Sequence, residues 1–319
     1  MTVRDRSAIH VLRLDNPAIQ VEFATELGGK IAQIVDRRTG RKWLAHHPRL
    51  AWRLPDDPAT PNAYVRLGDL GGWDECCPTV APSTYPLPPF AGRSLPDHGE
   101  CWYRRPDERR DGLTVEHRWR GASLPFELRR ILTLDPDEPR ITLDYALRSF
   151  ANTPISLMWS AHPLIAIEPG MRLDLPHGTR VAVASAGSPL GPAGRRLEWP
   201  LCESIDLSVV TPRAGWAAKL FTEVMDPGAV ALVAAKGDAL RLSWSSGDSG
   251  TGSLVRLGIW LNYMGWSGDG GPPLCNMCLE PCIGMPDALH EAIAAGTALV
   301  LNPGEERRWP VRVDCVGRE

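Results

Sequence analysis

The sequence predicts an all-β protein, a large antiparallel two-sheet β-sandwich that forms one domain over residues 1–319. Three observations support this prediction. About thirteen segments alternate apolar and polar residues with a period of two, which is typical of half-buried strands. The 30 glycines and 30 prolines interrupt the chain often enough for many short strands joined by turns. Only one stretch has a helical pattern, and strands do not alternate with helices as in a parallel βα fold.

The first elements of the chain predict a β-meander. Apolar residues alternate with Gln20 and Glu22 over residues 19–23, which indicates a half-buried strand. Two glycines at 28–29 allow a turn, and residues 31–35 return as a second strand. Residues 38–41 then have the composition of a tight turn.

Residues 48–93 are rich in proline, which excludes long helices and central strands. A loop of this length in a compact domain is usually functional. Within it, Gly71-Gly72-Trp73-Asp74-Glu75 places two acids beside an aromatic ring. Carboxylates accept hydrogen bonds from sugar hydroxyls and tryptophan covers apolar sugar faces, so Asp74 is a candidate sugar-binding residue. The alternative is a solvated turn with a packed tryptophan.

Period-two patterning resumes after Trp102. Residues 128–134 and 141–147 predict a hairpin whose turn is the Asp- and Pro-rich segment 135–139. A helix is predicted over residues 287–295 and ends at Gly296. No linker and no internal repeat is visible, which supports one domain. The further predicted strands are 156–161, 181–185, 205–210, 217–223, 229–235, 240–244, 254–261, 298–302 and 309–314.

Charge and hydropathy narrow the class of partner. With 35 basic and 38 acidic residues and a net charge of −3, nothing indicates binding to nucleic acid or to an anionic membrane. No apolar run is long enough to span a membrane, and the N-terminus lacks the apolar segment of a signal peptide. We therefore expect a cytoplasmic protein, a monomer or homodimer, that acts on a small molecule.

Three of the eight cysteines, Cys275, Cys278 and Cys282, have the spacing C-x2-C-x3-C, for which a zinc or iron–sulfur site must be considered. Structural zinc sites usually show two clear pairs of ligands, and this cluster lacks an evident fourth ligand. We therefore predict no metal, and interpret the cysteines as small buried thiols that a cytosolic protein keeps reduced.

Glu280 is an isolated carboxylate. No other charged residue occurs between Gly270 and Met285, so we expect partly apolar surroundings that would make Glu280 a base. His98 lies in a loop rich in Pro and Gly, and His162 ends an apolar segment predicted to be a strand. Two histidines and a carboxylate in such settings favour acid/base catalysis. Alternatively, Glu280 caps a turn or binds a distant arginine, His162 is a satisfied core histidine, and His98 belongs to a turn.

Five segments together resemble the aldose 1-epimerases of the galactose mutarotase-like superfamily. They are FATELGGKIAQIVDRRTGRKWL (23–44), PDHGECW (96–102), SAHP (160–163), LEP with PDAL after it (279–289), and ALVLNPGEERRWPVRV (298–313). The resemblance spans nearly the whole chain. It implies a two-sheet sandwich that holds a sugar in a cleft on one sheet, and an isomerase that needs no cofactor. By motif, it makes Glu280 the base, His162 the acid and His98 a substrate-binding residue.

The galactose-specific members of that superfamily also have an arginine before the first histidine and an aspartate after the second, and neither is evident here. Arg66, Arg93 and Asp74 are candidates for the first role. Asn262 is a neutral candidate for the second, and Trp260 is a possible stacking platform for the sugar.

Other functions remain open at this level. Arg93, Lys30 or Arg66 could bind the phosphate of a phosphorylated sugar, so the chain could be a hexose-6-phosphate 1-epimerase, although we favour a neutral or acidic monosaccharide. It could also be a non-catalytic carbohydrate-binding or sensing protein that uses the same cleft. A third alternative is an isomerase or lyase that removes a carbon-bound proton from an acidic sugar.

Overall fold

The computed structural model describes residues 9–49, 54, 57, 60, 62–67, 71–185, 189–245 and 254–317. These residues form 25 strands and two short helices, α1 (Ala63–Leu67) and α2 (Leu289–Ala294). Neither helix is long and apolar enough to cross a membrane. The strands are β1 (Leu12–Asp15), β2 (Ile19–Ala24), β3 (Lys30–Asp36), β4 (Arg41–Lys42), β5 (Trp73–Cys76), β6 (Ser83–Thr84), β7 (Ser94–Leu95), β8 (Asp107–Asp111), β9 (Thr114–Arg120), β10 (Phe126–Leu134), β11 (Arg140–Ser149), β12 (Ile155–Leu157), β13 (Trp159–Ile165), β14 (Arg172–Asp174), β15 (Arg180–Val183), β16 (Arg196–Glu198), β17 (Leu201–Cys202), β18 (Ile205–Asp206), β19 (Trp216–Thr222), β20 (Gly228–Val233), β21 (Ala239–Trp244), β22 (Val255–Tyr263), β23 (Cys275–Ile283), β24 (Leu299–Leu301) and β25 (Glu306–Val316).

Two large antiparallel sheets form the sandwich, which confirms the predicted fold class. The 13-stranded sheet has the order β1-β2-β3-β5-β13-β23-β22-β19-β15-β16-β17-β18, with β4 paired to β3. The eight-stranded sheet has the order β14-β20-β21-β25-β11-β10-β9-β8. Two small sheets, β12-β24 and β6-β7, complete the described part of the fold.

The core lies between the two large sheets, where apolar side chains from both inner faces pack together. β10 alternates buried and half-buried residues along its whole length, which is the pattern that the sequence predicts for one solvated face. The helix predicted over 287–295 forms as α2. The hairpin predicted at 128–147 forms as β10 and β11, joined at residues 135–139.

Two central strands of the large sheet differ from β10 because they are buried on both faces. β13 is buried at all seven residues, and β23 is exposed only at Cys275. β23 has no period-two alternation to reveal it, and the sequence did not predict it as a strand. The predicted strand 156–161 is in fact two strands, β12 and β13, which belong to different sheets. The predicted strand 205–210 is shortened to β18. The prediction that residues 48–93 contain no central strand is wrong, because the proline-free segment Trp73–Cys76 forms β5 between β3 and β13.

A buried polar network joins the two sheets beneath the central strands. The guanidinium of Arg130, in β10, donates hydrogen bonds to Glu75 Oε1 (2.8 Å) and to the imidazole Nδ1 of His117 (3.0 Å). Glu75, in β5, also accepts hydrogen bonds from the Tyr145 hydroxyl and the Trp159 indole, both at 2.9 Å. Neither side chain of the Arg130–Glu75 pair is exposed. The network therefore fixes β5 against the eight-stranded sheet, and Asp74, the residue before Glu75, faces the opposite side.

His117 in this network gives the fold a pH dependence. Burial, partly offset by the hydrogen bond to Glu108, lowers the pKa of His117 from 6.5 to about 4. Between pH 6.5 and about pH 4, His117 is therefore protonated in the unfolded chain and neutral in the folded chain. The contribution of His117 to the free energy of unfolding is fully present above pH 6.5. It decreases by roughly 1.4 kcal/mol per pH unit as the pH falls toward 4.

This dependence can be measured by urea unfolding at several pH values between 7 and 4.5. The variant His117→Gln, which keeps a donor and an acceptor but does not titrate, is expected to show a shallower decrease in the free energy of unfolding. Equal slopes for the two proteins would contradict the assignment.

Candidate active site

The register of the large sheet aligns three candidate residues in one row. His162 of β13 pairs with Asp74 of β5 on one side. On the other side, the pairs Ser160↔Cys282 and Leu164↔Cys278 place His162 opposite Glu280 of β23. Side chains of residues paired across neighbouring strands point to the same face of a sheet, and successive residues of one strand point to opposite faces. Because Glu75 points toward the eight-stranded sheet, Asp74 and the rest of the row point away from the core.

His162 and Glu280 of this row lie on the floor of a cleft with a volume of about 250 Å³. Loops and the short helix α1 supply its walls, while β19 and β22 extend its floor. A cleft of this size suits a ligand smaller than a typical drug molecule, such as one sugar ring. The residues that line the cleft include Asp97, His98, His162, Lys219, Trp260, Trp266, Glu280 and Asp287.

The carboxylate of Glu280 is buried and has two unlike oxygens. Oε2 accepts hydrogen bonds from the Lys219 ammonium at 2.5 Å and from the Ser160 hydroxyl at 3.3 Å. Oε1 accepts no hydrogen bond from any described residue. Gly258, opposite Glu280 on β22, leaves room for this arrangement, since a Cβ there would lie 3.2 Å from Oε2. Glu280 is thus held by one oxygen while the other stays available.

Lys219, in β19, is a buried cation that two carboxylates share. Its ammonium lies 2.5 Å from Glu280 Oε2 and 3.6 Å from Asp287 Oδ1. Burial favours the neutral amine, but the nearby carboxylates of Asp287 and Glu280 outweigh this effect and raise the pKa of Lys219 above its ordinary value. Lys219 therefore remains an ammonium that fixes the position of Glu280.

His162 lies between Glu280 and a second hydrogen-bonded chain. Its Nε2 is 3.9 Å from Glu280 Oε1, and its Nδ1 is 3.2 Å from the Tyr64 hydroxyl. Tyr64 donates to Asp74 Oδ2 at 2.9 Å, and the Lys30 ammonium donates to the same oxygen at 2.5 Å. Because Tyr64 uses its proton for Asp74, we assign the Nδ1 proton to His162, which donates it to the Tyr64 oxygen. Nε2 then faces the cleft.

The surroundings of His162 disfavour its charged form. Burial lowers the pKa of His162 well below its ordinary value, and the positive potential of His98, Lys219 and Lys30 lowers it further. The imidazole is therefore neutral in the unliganded protein near neutral pH. A proton placed on it would be released readily.

His98 reaches the cleft through an unusual backbone conformation. Its φ is 58°, in the left-handed region, and its backbone N–H donates to the Val80 carbonyl. The His98 ring stacks on Tyr64, with ring centroids 3.8 Å apart, and its Nδ1 lies 2.9 Å from Asp97 Oδ1. The ring centroids of His98 and His162 are 4.9 Å apart. The structure therefore brings His98, His162 and Glu280 together.

Of the other predicted site residues, Trp260 lines the cleft and Asp74 does not. Trp260 lines the cleft, with Trp266 edge-on at 5.6 Å between ring centroids. Asp74 lies behind His162, where it binds Lys30 and Tyr64 and does not line the cleft. Lys30 is therefore also behind the site.

Besides Asp74, two predicted substrate-binding residues lie outside the cleft. The amide of Asn262 is buried and fixes the turn that follows β22, since it accepts from the N–H groups of Gly265 and Trp266 and donates to the Trp266 carbonyl. Arg93 donates to the Ser123 carbonyl, and its guanidinium lies over the Phe90 ring. Arg66 does not line the cleft either.

The three clustered cysteines do not converge. Cys275 is exposed and donates its thiol hydrogen to the Pro212 carbonyl, whereas Cys278 and Cys282 are buried. Positions 275 and 278 are an odd number of residues apart on one strand and therefore face opposite sides of the sheet. Cys278 does, however, lie beside His162 and Glu280.

Sequence reasoning missed Lys219, Tyr64 and Asp287. Lys219 had a signal, because it is the only charged residue in the strand WAAKLFT. Asp287 lies in the PDAL segment, whose pattern predicts only the start of a helix. Tyr64 had no signal, because its position depends on how the proline-rich segment folds over the sheet.

Comparison with known proteins gives fold neighbours only. A galactose mutarotase-like protein from Clostridium acetobutylicum is 13% identical with a TM-score of 0.68, and 98% of this chain covers 97% of that one. A galactose mutarotase related enzyme from Lactobacillus acidophilus is 14% identical with a TM-score of 0.66, over 97% and 98% of the chains. A galactose mutarotase-like protein from Lactobacillus casei is 12% identical with a TM-score of 0.65, over 96% and 100%. No protein-family model and no curated protein sequence matches the chain. The chain has the galactose mutarotase-like fold.

Proposed function

We propose that the protein is an aldose 1-epimerase that interconverts the α and β anomers of a monosaccharide. The observation that carries this proposal is the placement of Glu280 Oε1 and His162 Nε2, 3.9 Å apart on the floor of one cleft. Each group is fixed from its far side, Glu280 by Lys219 and His162 by Tyr64. The names of the fold neighbours agree with this function.

The proposed reaction needs one base and one acid. Glu280 Oε1 takes the proton of the anomeric hydroxyl, and His162 Nε2 donates a proton to the ring oxygen as the C1–O5 bond breaks. The open aldehyde rotates about C1–C2, and the reverse transfers reclose the ring and restore both groups. Lys219 holds the other oxygen of Glu280, so the base is oriented before the sugar arrives. His98 is the nearest candidate to bind a hydroxyl beside the acid.

The lowered pKa of His162 predicts an unusual pH profile. The imidazolium form, which donates the proton, becomes scarcer as the pH rises through a pKa that lies below 6.5. We therefore expect kcat/KM to fall with rising pH already below pH 6.5, after the spontaneous rate is subtracted. A profile that stays flat to pH 8 would mean that another group is the acid.

The charges of the cleft favour a neutral sugar. Asp97, Glu280 and Asp287 oppose the single ammonium of Lys219 among the described lining residues. Lys30 and Arg93, which could have bound a phosphate, lie elsewhere. A phosphate or carboxylate on the sugar would meet like charge, which costs several kcal/mol when the groups are close.

The experiment that tests the function is NMR exchange between α and β anomers of neutral aldoses, uronic acids and hexose 6-phosphates. We expect acceleration of at least one neutral aldose, with kcat/KM higher by about tenfold or more than for its anionic analogues. Faster exchange of a hexose 6-phosphate would contradict the charge argument and leave the epimerase assignment standing. No acceleration of any sugar would contradict the function itself.

A further inference from the structure

A second type of ligand fits the floor of the cleft. His162 comes from β13, and Cys278 and Glu280 come from the same face of β23, two residues apart. One ligand atom from each residue lies within 4.8 Å of the other two. Imidazole nitrogen, thiolate sulfur and carboxylate oxygen are the three donor types that Zn²⁺ accepts in proteins.

The separation between His162 and Glu280 is close to that of a tetrahedral site. Zinc–ligand bonds of about 2.0–2.3 Å place neighbouring ligand atoms roughly 3.3–3.8 Å apart. His162 Nε2 and Glu280 Oε1 are 3.9 Å apart, close to this range, and the Cys278 sulfur lies within 4.8 Å of a ligand atom of each residue. The fourth position would face the cleft and take water, which is the arrangement of zinc sites with an open coordination position.

An unsatisfied atom supports a cation at this point. Glu280 is 1% exposed, and by geometry its Oε1 accepts no hydrogen bond from any described residue, although the Cys278 thiol interacts with the same carboxylate. A buried acceptor without a partner is unfavourable, and a bound metal ion would satisfy it. The second carboxylate oxygen, Oε2, can keep its bond to Lys219 at the same time.

The balance of charge also permits a divalent ion. Metal binding requires that Cys278 lose its thiol proton, which passes to solvent. The thiolate, Glu280 and the adjacent Asp287 then carry three negative charges, against one positive charge on Lys219. The resulting excess of two negative charges matches Zn²⁺.

We propose that His162, Cys278 and Glu280 form a site for a thiophilic divalent cation such as Zn²⁺ in the sugar cleft. The bound ion would occupy the atoms assigned above as acid and base, so metal and sugar would exclude each other. The binding does not depend on the proposed function, whereas the inhibition that follows from it does.

The test is calorimetric titration of the reduced, metal-free full chain with Zn²⁺, followed by optical titration with Co²⁺. We expect one equivalent of Zn²⁺ and a thiolate-to-cobalt charge-transfer band. Cys278→Ala and the nearly isosteric Cys278→Ser should each weaken Zn²⁺ binding by at least about tenfold, the loss that changes outside the ligand shell already cause, and abolish the band. Cys282→Ala, which removes a buried thiol from the same strand outside the trio, should change neither.

Absence of stoichiometric Zn²⁺ uptake would overturn the proposal, as would uptake and a cobalt band that survive in both Cys278 variants. Thermal unfolding of each variant shows whether it is folded. In proteins that catalyse anomer exchange, a Zn²⁺ concentration that just saturates the wild type should inhibit it, and Cys278→Ser should need at least about tenfold more Zn²⁺ for the same inhibition. The calorimetric result stands even if no sugar is turned over, so failure of the metal site and failure of the epimerase are distinguishable.

Discussion

Replacing Glu280 by glutamine is expected to lower protein-catalysed anomer exchange by about 10²- to 10⁴-fold, the contribution typical of a positioned acid or base. The amide has nearly the shape of the carboxylate, and its carbonyl oxygen can still accept from Lys219. It cannot take the anomeric proton at neutral pH. The measurement is the kcat/KM for exchange of the preferred aldose, with the spontaneous rate subtracted.

Two controls make this result specific. Sugar binding by Glu280→Gln, measured by calorimetry, should remain within about tenfold of the wild type, because the cleft is otherwise intact. Glu223→Gln, which removes an exposed carboxylate that pairs with Arg180 at the surface, should leave exchange unchanged. Full activity of Glu280→Gln would remove Glu280 from the reaction.

Replacing Arg130 by methionine is expected to destabilise the protein by about 3–5 kcal/mol. The change leaves Glu75 buried without its cation and removes the hydrogen bonds to His117 and to the Gly29 carbonyl. The Tyr145 and Trp159 bonds to Glu75 remain but do not compensate the charge. Equilibrium unfolding in urea at pH 7 gives the change in free energy directly.

A second substitution tests whether the cost arises from an unpaired charge. Adding Glu75→Gln to Arg130→Met should recover part of the lost stability, because no buried charge is then left without a partner. The surface pair Arg180–Glu223 offers a matched comparison, and Arg180→Met should have little effect. A loss below about 1 kcal/mol for Arg130→Met would show that the network does not hold the sheets together.

The β10–β11 hairpin could be predicted because one of its faces packs on the core and the other is solvated, so its sequence alternates. β23 could not be predicted in this way, because the core covers one of its faces and the cleft the other. Its residues are therefore almost continuously buried. The isolation of Glu280 in the sequence pointed to a special position, but not to the strand that carries it.

The composition of the site depends on contacts between distant parts of the chain. His162 and Glu280 meet because β13 and β23 pair in one register, and the sequence alone does not fix that register. Their proposed roles come from a family resemblance rather than from periodicity. Asn262 and Arg93 show the limit of assigning binding roles by resemblance, because local turn and loop contacts occupy both side chains. Lys219, by contrast, had a local signal that was not used, because it is the only charged residue in the strand WAAKLFT.

The most direct test of acid/base turnover in this cleft is to measure sugar binding and anomer exchange by NMR in the same sample of wild-type protein. Saturable binding of a neutral aldose together with exchange above the spontaneous rate is the expected result. Saturable binding without any acceleration of exchange, for neutral aldoses, uronic acids and hexose 6-phosphates alike, would contradict the epimerase and identify a carbohydrate-binding protein.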